Sequence, residues 1–228
     1  MLLSRWLLLS GSTALVLLTG SFLAGSCAAS AHQTLPAWSE PLDAVNEAAD
    51  PAPVPGDPNP EELNSVTGQN SNYAWGHSRG WIHAPIADVW VAMRNVDVII
   101  DRRTVAQWAV TKQNVDPTAT YSFIVHNVID NVLTVELDTE WREGAIEGTT
   151  TAPQEVAIRN EMISTSIFIS LLIDTVRLVE HTDSLTEIQI ERHAQNLSPT
   201  PEADIRQYQQ DLFNSVVASV HGRALPTY

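Results

Sequence analysis

Residues 80–90 read GWIHAPIADVW, and this stretch decides the fold. The residues from 75 to 83 have the spacing of a strand. Pro85 ends that strand, because proline lacks the amide donor that a sheet needs and disfavours helix in the residue before it. Proline is tolerated in a first helical turn, and apolar residues then recur at helical spacing, which predicts a short amphipathic helix over 86–94. A second short helix is predicted over 97–104.

The remainder of the chain predicts an antiparallel sheet followed by one long helix. From residue 107 onward apolar and polar residues alternate with period two, as in strands with one wet face. The predicted strands cover 107–114, 121–129, 132–142, 156–162, 167–180 and 185–196. Pro201 then suits a first helical turn, an apolar stripe runs from Ile205 to Val220, and Gly222 can end the helix. Because the apolar face of the sheet needs a cover, we expect the sheet to curl around this helix.

The stretch at 80–90 resembles the opening of START-like domains (the polyketide cyclase, Bet v 1 and START group), in which a strand ends in Ala-Pro and a Val-Trp helix follows. The order of elements over residues 73–222 is similar to that family as well. The resemblance implies an α+β helix-grip fold, with a curved antiparallel sheet around a long C-terminal helix and two short helices after the first strand. It also implies a cavity between sheet and helix, commonly used for lipids, sterols, polyketides or other apolar molecules. Fold does not fix function, since the family includes enzymes, carriers and regulators.

The residues expected to line such a cavity come from the apolar sheet face and the inner stripe of the last helix. They are Phe123, Val125, Val135, Leu137, Trp141, Ile158, Asn160, Ile188, Ile190, Arg192, Tyr208 and Leu212. The alternative is a filled core with no room for a ligand. Spacing along strands does not distinguish the two.

Arg192 follows two isoleucines at period two, so it is expected to point inward, where an unpaired cation would be costly. It either binds a ligand carboxylate or phosphate, or pairs with a protein acid such as Glu140 or Asp138. Arg177 presents the same alternatives. Asn160 and Thr139 either orient a ligand or have internal hydrogen-bond partners.

The sequence contains no compact catalytic or metal-binding motif. There is no Gly-x-Ser-x-Gly elbow and no glycine-rich phosphate loop. The histidines are scattered, without the i, i+4 spacing or the cysteine partners that suit zinc, and His181 with Asp183 beside a turn is a weak candidate. We therefore predict no metal and no other cofactor, and we favour a binding protein over an enzyme.

The N-terminus has the pattern of an export signal. Residues 1–26 carry one positive charge, an apolar body and small residues before Cys27, which is typical of a signal peptide. Residues 23–27, LAGSC, resemble the bacterial lipobox, although the leucine stands four places before the cysteine rather than three. The resemblance implies lipid modification of Cys27 and, with Ala28 following, sorting to the outer membrane. The alternative is an incidental cysteine in an ordinary cleaved signal of a periplasmic or secreted protein.

Residues 27–72 are predicted to be a disordered tether, which assigns the folded domain to 73–228. The tether contains seven prolines, seven acids and no lysine or arginine, so it buries too little apolar surface to offset its ordering entropy. The net charge of the chain is −15, and the absence of a Lys/Arg cluster excludes a nucleic-acid-binding class.

These features predict an envelope lipoprotein that binds or carries a small apolar ligand, such as a lipid, and reaches the membrane through its N-terminal anchor. Two alternatives stay open. One is an enzyme of the START-like cyclase or hydrolase kind acting on a hydrophobic substrate. The other is a structural envelope protein with a closed core.

Overall fold

The structure is a computed structural model. It describes residues 35–42, 45–130, 133–164, 167–196 and 200–228. The predicted signal peptide and the predicted lipidation site at Cys27 lie outside the described residues. In the described part of the chain, no helix combines the length and the apolar character needed to cross a membrane.

Within the described residues, eight strands form one antiparallel sheet. They are β1 (Leu63–Gln69), β2 (Ala74–Ile82), β3 (Gln107–Gln113), β4 (Tyr121–Asp130), β5 (Thr134–Thr149), β6 (Ala152–Met162), β7 (Ile169–Thr182) and β8 (Leu185–Asn196). The strand order is β1-β2-β8-β7-β6-β5-β4-β3, so the chain crosses from β2 to the opposite edge before β3. Helices α1 (Ile86–Met93) and α2 (Val96–Ile99) lie in that crossing, and helix α3 (Glu202–Val220) follows β8.

Helix α3 lies against the inner face of the sheet and approaches β2 closely. A Cβ atom at Gly76 would stand 2.5 Å from Ile205 and 2.9 Å from Gln209, so glycine is required for this approach. The buried Gln209 amide donates to the carbonyls of Gly76 (2.9 Å) and Ile190 (3.1 Å) and accepts from Ser78 (2.7 Å). The predicted α+β helix-grip fold is thereby confirmed.

The packed core occupies one half of the space between the sheet and α3. Helix α1 inserts Val89, Trp90 and Met93 there, and the C-terminal half of α3 adds Phe213 and Val216. All five side chains are almost completely inaccessible to solvent. Because α1 fills this half, any cavity must lie toward the N-terminal half of α3.

Several predicted boundaries require correction. Helix α2 ends at Ile99, and turns take the place of helix up to residue 104. Strand β5 continues to Thr149 rather than ending at residue 142, because register shifts near Ala145 let pairing with β6 continue beyond Gly144. Gly144 itself pairs with Ala157.

The prediction of a tether over residues 27–72 is not met in the part that the structure describes. Trp38 and Leu42 are buried, and the Trp38 indole donates to the Thr118 hydroxyl at 3.1 Å. Residues 63–69 form β1, and every residue of β1 pairs with a residue of β2. The compact unit extends from Leu35 to Tyr228, not from residue 73. The physical reason is that the outer face of β2 and β8 carries apolar and ionisable side chains that this segment covers.

Candidate functional site

A cavity of about 590 Å³ lies between the sheet and the N-terminal half of α3. Its volume falls within the range of about 300–1,000 Å³ that is usual for small-molecule sites. Its apolar wall includes Val135, Leu137, Trp141, Leu172, Ala194 and Ile205. Turn residues after α2 close one side. The cavity therefore presents mostly apolar surface to a guest.

The structure divides the twelve predicted lining residues into two sets. Those that line the cavity are Val135, Leu137, Trp141, Asn160, Arg192 and Tyr208. Those that pack in the core without lining it are Phe123, Val125, Ile158, Ile188, Ile190 and Leu212. The second set lies on the side that α1 fills, and strand periodicity alone does not reveal where α1 inserts.

Sequence reasoning missed other lining residues. Ala194 continues the period-two series that ends at Arg192, and Ile205 belongs to the stripe of α3, so both could have been found from their spacing. Ile99, Ile100 and Val105 belong to α2 and the turns after it, where no pattern indicates an inward orientation.

The polar part of the cavity centres on an ion pair between Arg192 and Asp174. These residues lie opposite each other on β8 and β7, and Arg192 Nη1 stands 3.2 Å from Asp174 Oδ1. The guanidinium also stacks over Tyr208, with 3.6 Å between its carbon and the ring centroid. The Asn160 amide donates to Asp174 Oδ2 at 2.9 Å.

The acid that pairs with Arg192 differs from both predicted candidates. Glu140 contacts Arg142, and Asp138 contacts His126 at 2.9 Å. Arg177 likewise has a protein partner, Glu155. Arg192 therefore pairs with a protein acid, as one of the two alternatives holds, but with Asp174. The sequence does not identify this acid, because the partner of a strand residue is set by the register of the neighbouring strand.

Burial and neighbouring charges shift the pKa of three residues in the polar part of the cavity. Burial raises the pKa of Asp174, and the lowering effects of Arg192 and then of the Asn160 hydrogen bond offset this only in part. Burial opposes the charge on Arg192, yet Asp174 and then Tyr208 raise the pKa of the guanidinium, which stays protonated. Burial, followed by the charge of Asp174, raises the pKa of Tyr208, so its hydroxyl also keeps its proton.

Three lining residues carry buried polar atoms without a hydrogen-bond partner. They are the Asn160 Oδ1 acceptor, the Trp141 Nε1 donor and the Thr200 hydroxyl. Asn160 and Trp141 face each other across β6 and β5. Buried polar groups are normally paired, so an unpaired acceptor beside an unpaired donor favours a guest group that can satisfy both.

The cavity opens past both polar and apolar side chains. Asp101, Arg103 and Asp204 line it on the side of α2 and α3, and Arg103 Nε lies 3.1 Å from Asp211. Leu133, at the turn before β5, also lines it and is 59% exposed. An apolar guest entering here meets apolar surface outside the cavity as well as inside it.

No family model and no curated protein matches this chain. Solved structures do resemble it. One is the STAR-related lipid transfer protein from Xanthomonas axonopodis, with 10% identity, a TM-score of 0.47 and coverage of 70% of this chain and 92% of that one. The human StAR-related lipid transfer protein 5 has 7% identity, a TM-score of 0.48 and coverage of 70% and 80%. The Zhui aromatase/cyclase of a Streptomyces species has 9% identity, a TM-score of 0.41 and coverage of 71% and 93%.

Proposed function

We propose that this chain is a START-like envelope lipoprotein that binds or carries a small, neutral, mainly apolar ligand with one hydroxyl group. The observation that carries the proposal is the cavity of about 590 Å³ beneath α3, with its apolar wall and its unpaired polar atoms at Trp141 and Asn160. A hydroxyl both donates and accepts, so it would satisfy the Asn160 oxygen and the Trp141 nitrogen together. Both atoms are buried, so contact with the hydroxyl requires the side chain of Asn160 or Trp141 to turn toward the cavity.

The charges around the cavity favour a neutral ligand over an anionic one. Arg192 already has Asp174 as its counter-ion and Tyr208 as its stacking partner. An added carboxylate would place a second negative charge next to Asp174 or would have to displace it, and both are costly in a low-dielectric interior. The net charge of −15 on the chain opposes anions further.

The binding proposal is tested with residues 35–228 and a matched pair of fluorescent probes, a long-chain alcohol and the fatty acid of equal length. We expect saturable uptake of the alcohol with at least about tenfold preference over the acid, since a burial penalty of only 1.4 kcal/mol corresponds to that factor. Native mass spectrometry of the purified protein should also show a co-purified lipid-like mass. Absence of uptake of either probe would contradict the proposal.

Three variants locate the ligand. Ala194→Phe adds a ring to the cavity wall and should abolish uptake, whereas Ala109→Phe adds the same ring at an exposed site on β3 and should leave uptake unchanged. Asn160→Leu should lower affinity for the alcohol more than for a plain hydrocarbon probe, because it removes the acceptor and keeps the volume. Equal uptake by the two phenylalanine variants would place the ligand elsewhere.

The localisation part of the proposal is supported by the sequence of residues 23–27 and is tested on the full chain. Cys27 is the single cysteine, so a radiolabelled fatty acid that enters the protein in a diacylglyceryl thioether has one sulfur atom to modify. We expect label and membrane retention for the wild type and for Ser26→Ala, and loss of both for Cys27→Ser. Unlabelled wild-type protein in the soluble fraction would contradict the lipid anchor.

A further inference from the structure

Three side chains with metal-ligating atoms meet on the outer face of the sheet, away from the cavity. His77 lies on β2, His193 lies on β8, and Glu47 belongs to the segment before β1. His77 Nε2 is 2.6 Å from Glu47 Oε2, and His193 Nε2 is 3.0 Å from Glu47 Oε1. One ligand atom from each residue lies within 4.8 Å of the other two.

The cluster is enclosed by protein. The Glu47 side chain is fully buried, and His77 and His193 are exposed by 1% and 6%. Trp75 contacts the His77 ring edge-on, and Tyr73 stacks on the His193 ring with 4.3 Å between centroids. A carboxylate in such a place needs a compensating positive charge, because burying an ion without one is expensive.

Asp50 determines how His77 presents its nitrogens. His77 Nδ1 lies 2.7 Å from Asp50 Oδ1, close enough for an ion pair although the two atoms do not meet the geometry of a hydrogen bond. A proton on Nδ1 would face this carboxylate and leave the Nε2 lone pair directed at Glu47. An imidazole nitrogen and a carboxylate oxygen 2.6 Å apart need either a proton or a metal cation between them. A carboxylate on the far nitrogen of a histidine is the usual partner of a metal-bound imidazole, since it fixes the tautomer and raises ligand basicity.

We propose that Glu47, His77 and His193 bind one Zn²⁺ ion, with Asp50 orienting His77. Two imidazoles and one carboxylate are a donor set that suits Zn²⁺, and three protein ligands leave a fourth position for water. Bonds of 2.0–2.1 Å in a tetrahedron separate ligand atoms by about 3.3 Å, so a small outward shift of the three side chains seats the ion. The bound ion joins the segment before β1 to the two strands that it covers.

A second arrangement, formed by Asp50, His77 and Glu191, is disfavoured. Its atoms also lie within 4.8 Å of one another, but it would use as a ligand the Asp50 carboxylate that contacts His77 Nδ1 in the first arrangement. Glu191 already accepts hydrogen bonds from the Leu42 amide (2.9 Å) and the Thr175 hydroxyl (2.7 Å). These hydrogen bonds already stabilise the Glu191 carboxylate, which makes it a less available metal ligand.

The spacing of these ligands explains why the sequence predicted no metal. Glu47 is 30 positions before His77 and 146 positions before His193. Neither interval belongs to a compact zinc motif, and Glu47 falls in the stretch that was predicted to be a tether. The ligands come together because β2 pairs with β8 and the segment before β1 folds back over both strands.

The test uses the full chain, purified in mild detergent with a tag that contains no histidine and stripped with a chelator. Titration with Zn²⁺ should show one tightly bound equivalent by elemental analysis and a rise in the unfolding temperature. Co²⁺ should give the visible absorption of a tetrahedral site. Glu47→Gln, which preserves shape, and His193→Ala should lose the stoichiometric equivalent, and Asp50→Asn should weaken binding by about 10- to 100-fold.

Two further variants separate a metal ligand from a merely structural side chain. His193→Cys should retain Co²⁺ and add a thiolate charge-transfer band, which no structural role would produce. His126→Ala is the matched control, because His126 faces Asp138 (2.9 Å) and Glu136 (3.7 Å) on the protein surface. Unfolding temperatures measured in chelator show whether each variant folds. The proposal is overturned if the wild type binds no more Zn²⁺ than Glu47→Gln does, or if His126→Ala loses the equivalent.

Discussion

At the scale of single residues, the buried Glu143 should make stability depend on pH. Its carboxylate accepts a hydrogen bond from the Trp90 indole at 2.8 Å. Burial raises the pKa of Glu143 from 4.5 to about 7, against the lowering effects of Trp90 and then Arg94. Between these pH values the folded chain keeps the proton that the unfolded chain loses. The stabilising contribution is therefore complete below pH 4.5 and disappears as the pH rises through 7, a change of roughly 3 kcal/mol.

Glu143→Gln should flatten this part of the pH profile, since glutamine keeps an oxygen for Trp90 and does not titrate. The free energy of unfolding, measured by urea denaturation from pH 4.5 to 8, provides the test. Glu147→Gln changes an exposed carboxylate on the same strand and should keep the wild-type slope. A Glu143→Gln profile parallel to the wild type would show that another group is responsible.

The ion pair in the cavity predicts an asymmetric response to mutation. Asp174→Asn leaves the Arg192 guanidinium buried without a counter-ion and should destabilise the fold by about 3–5 kcal/mol. Adding Arg192→Met to Asp174→Asn removes the orphan charge and should recover part of that loss. Thermal and urea unfolding of the single and double variants measure both effects.

The pair between Arg177 and Glu155 is the control for this cycle. Both side chains are partly exposed, so Glu155→Gln should cost no more than about 1 kcal/mol. Equal losses for Asp174→Asn and Glu155→Gln would mean that burial does not govern the Asp174 pair. A double variant less stable than Asp174→Asn would contradict the orphan-charge explanation.

At the scale of elements, the position of α3 depends on one buried amide. Gln209→Leu removes the hydrogen bonds to Gly76, Ser78 and Ile190 and leaves these groups unsatisfied, at an expected cost of about 1–3 kcal/mol. Gln210→Leu, on the same helix with its amide on the exposed Asn214, should change stability by less than about 0.5 kcal/mol. Urea denaturation of the two variants makes the comparison, and similar values for both would contradict the anchoring role of Gln209.

Elements with strong periodicity were predicted closely, and weakly patterned elements were not. Strand β8 was expected over the residues that it occupies, and β2 and α1 differ from expectation by a residue at their ends. Strand β1 has the sequence LNSVTGQ, in which apolar residues are too few to alternate. It forms a strand because it pairs with β2, and this pairing cannot be predicted from its composition.

The cavity shows a similar limit. Period two predicts an inward orientation for Val135 and Arg192, and the helical stripe predicts it for Tyr208; all three line the cavity. The same alternation does not reveal that Ile188 and Ile190, which precede Arg192 on β8, are covered by the packed core instead. That distinction depends on where α1 lies across the sheet, which is a contact between elements far apart in the chain.

At the scale of the whole molecule, the sheet has a different occupant on each face. The inner face holds the core and the cavity under α3, and the outer face of β2 and β8 holds the segment that contains Leu42 and Glu47. In the proposed mature protein this segment also leads toward the lipid anchor. The described residues between 35 and 72, which were predicted to belong to a spacer, are thus part of the folded unit.

This arrangement predicts that a chain beginning at residue 73 is much less stable than one beginning at residue 35. Removal of residues 35–72 deletes β1 and exposes Trp75 and His77, which are now 6% and 1% exposed. It also makes β2 an edge strand, which keeps its pairing with β8 but has free backbone groups on the other side, and such an edge favours aggregation. A chain that keeps residues 35–72 but carries Val45→Ala, at a side chain 59% exposed, should behave as the wild type. Unfolding temperatures and light scattering compare the three proteins, and a monomeric, equally stable chain from residue 73 would restore the interpretation of residues 27–72 as a tether.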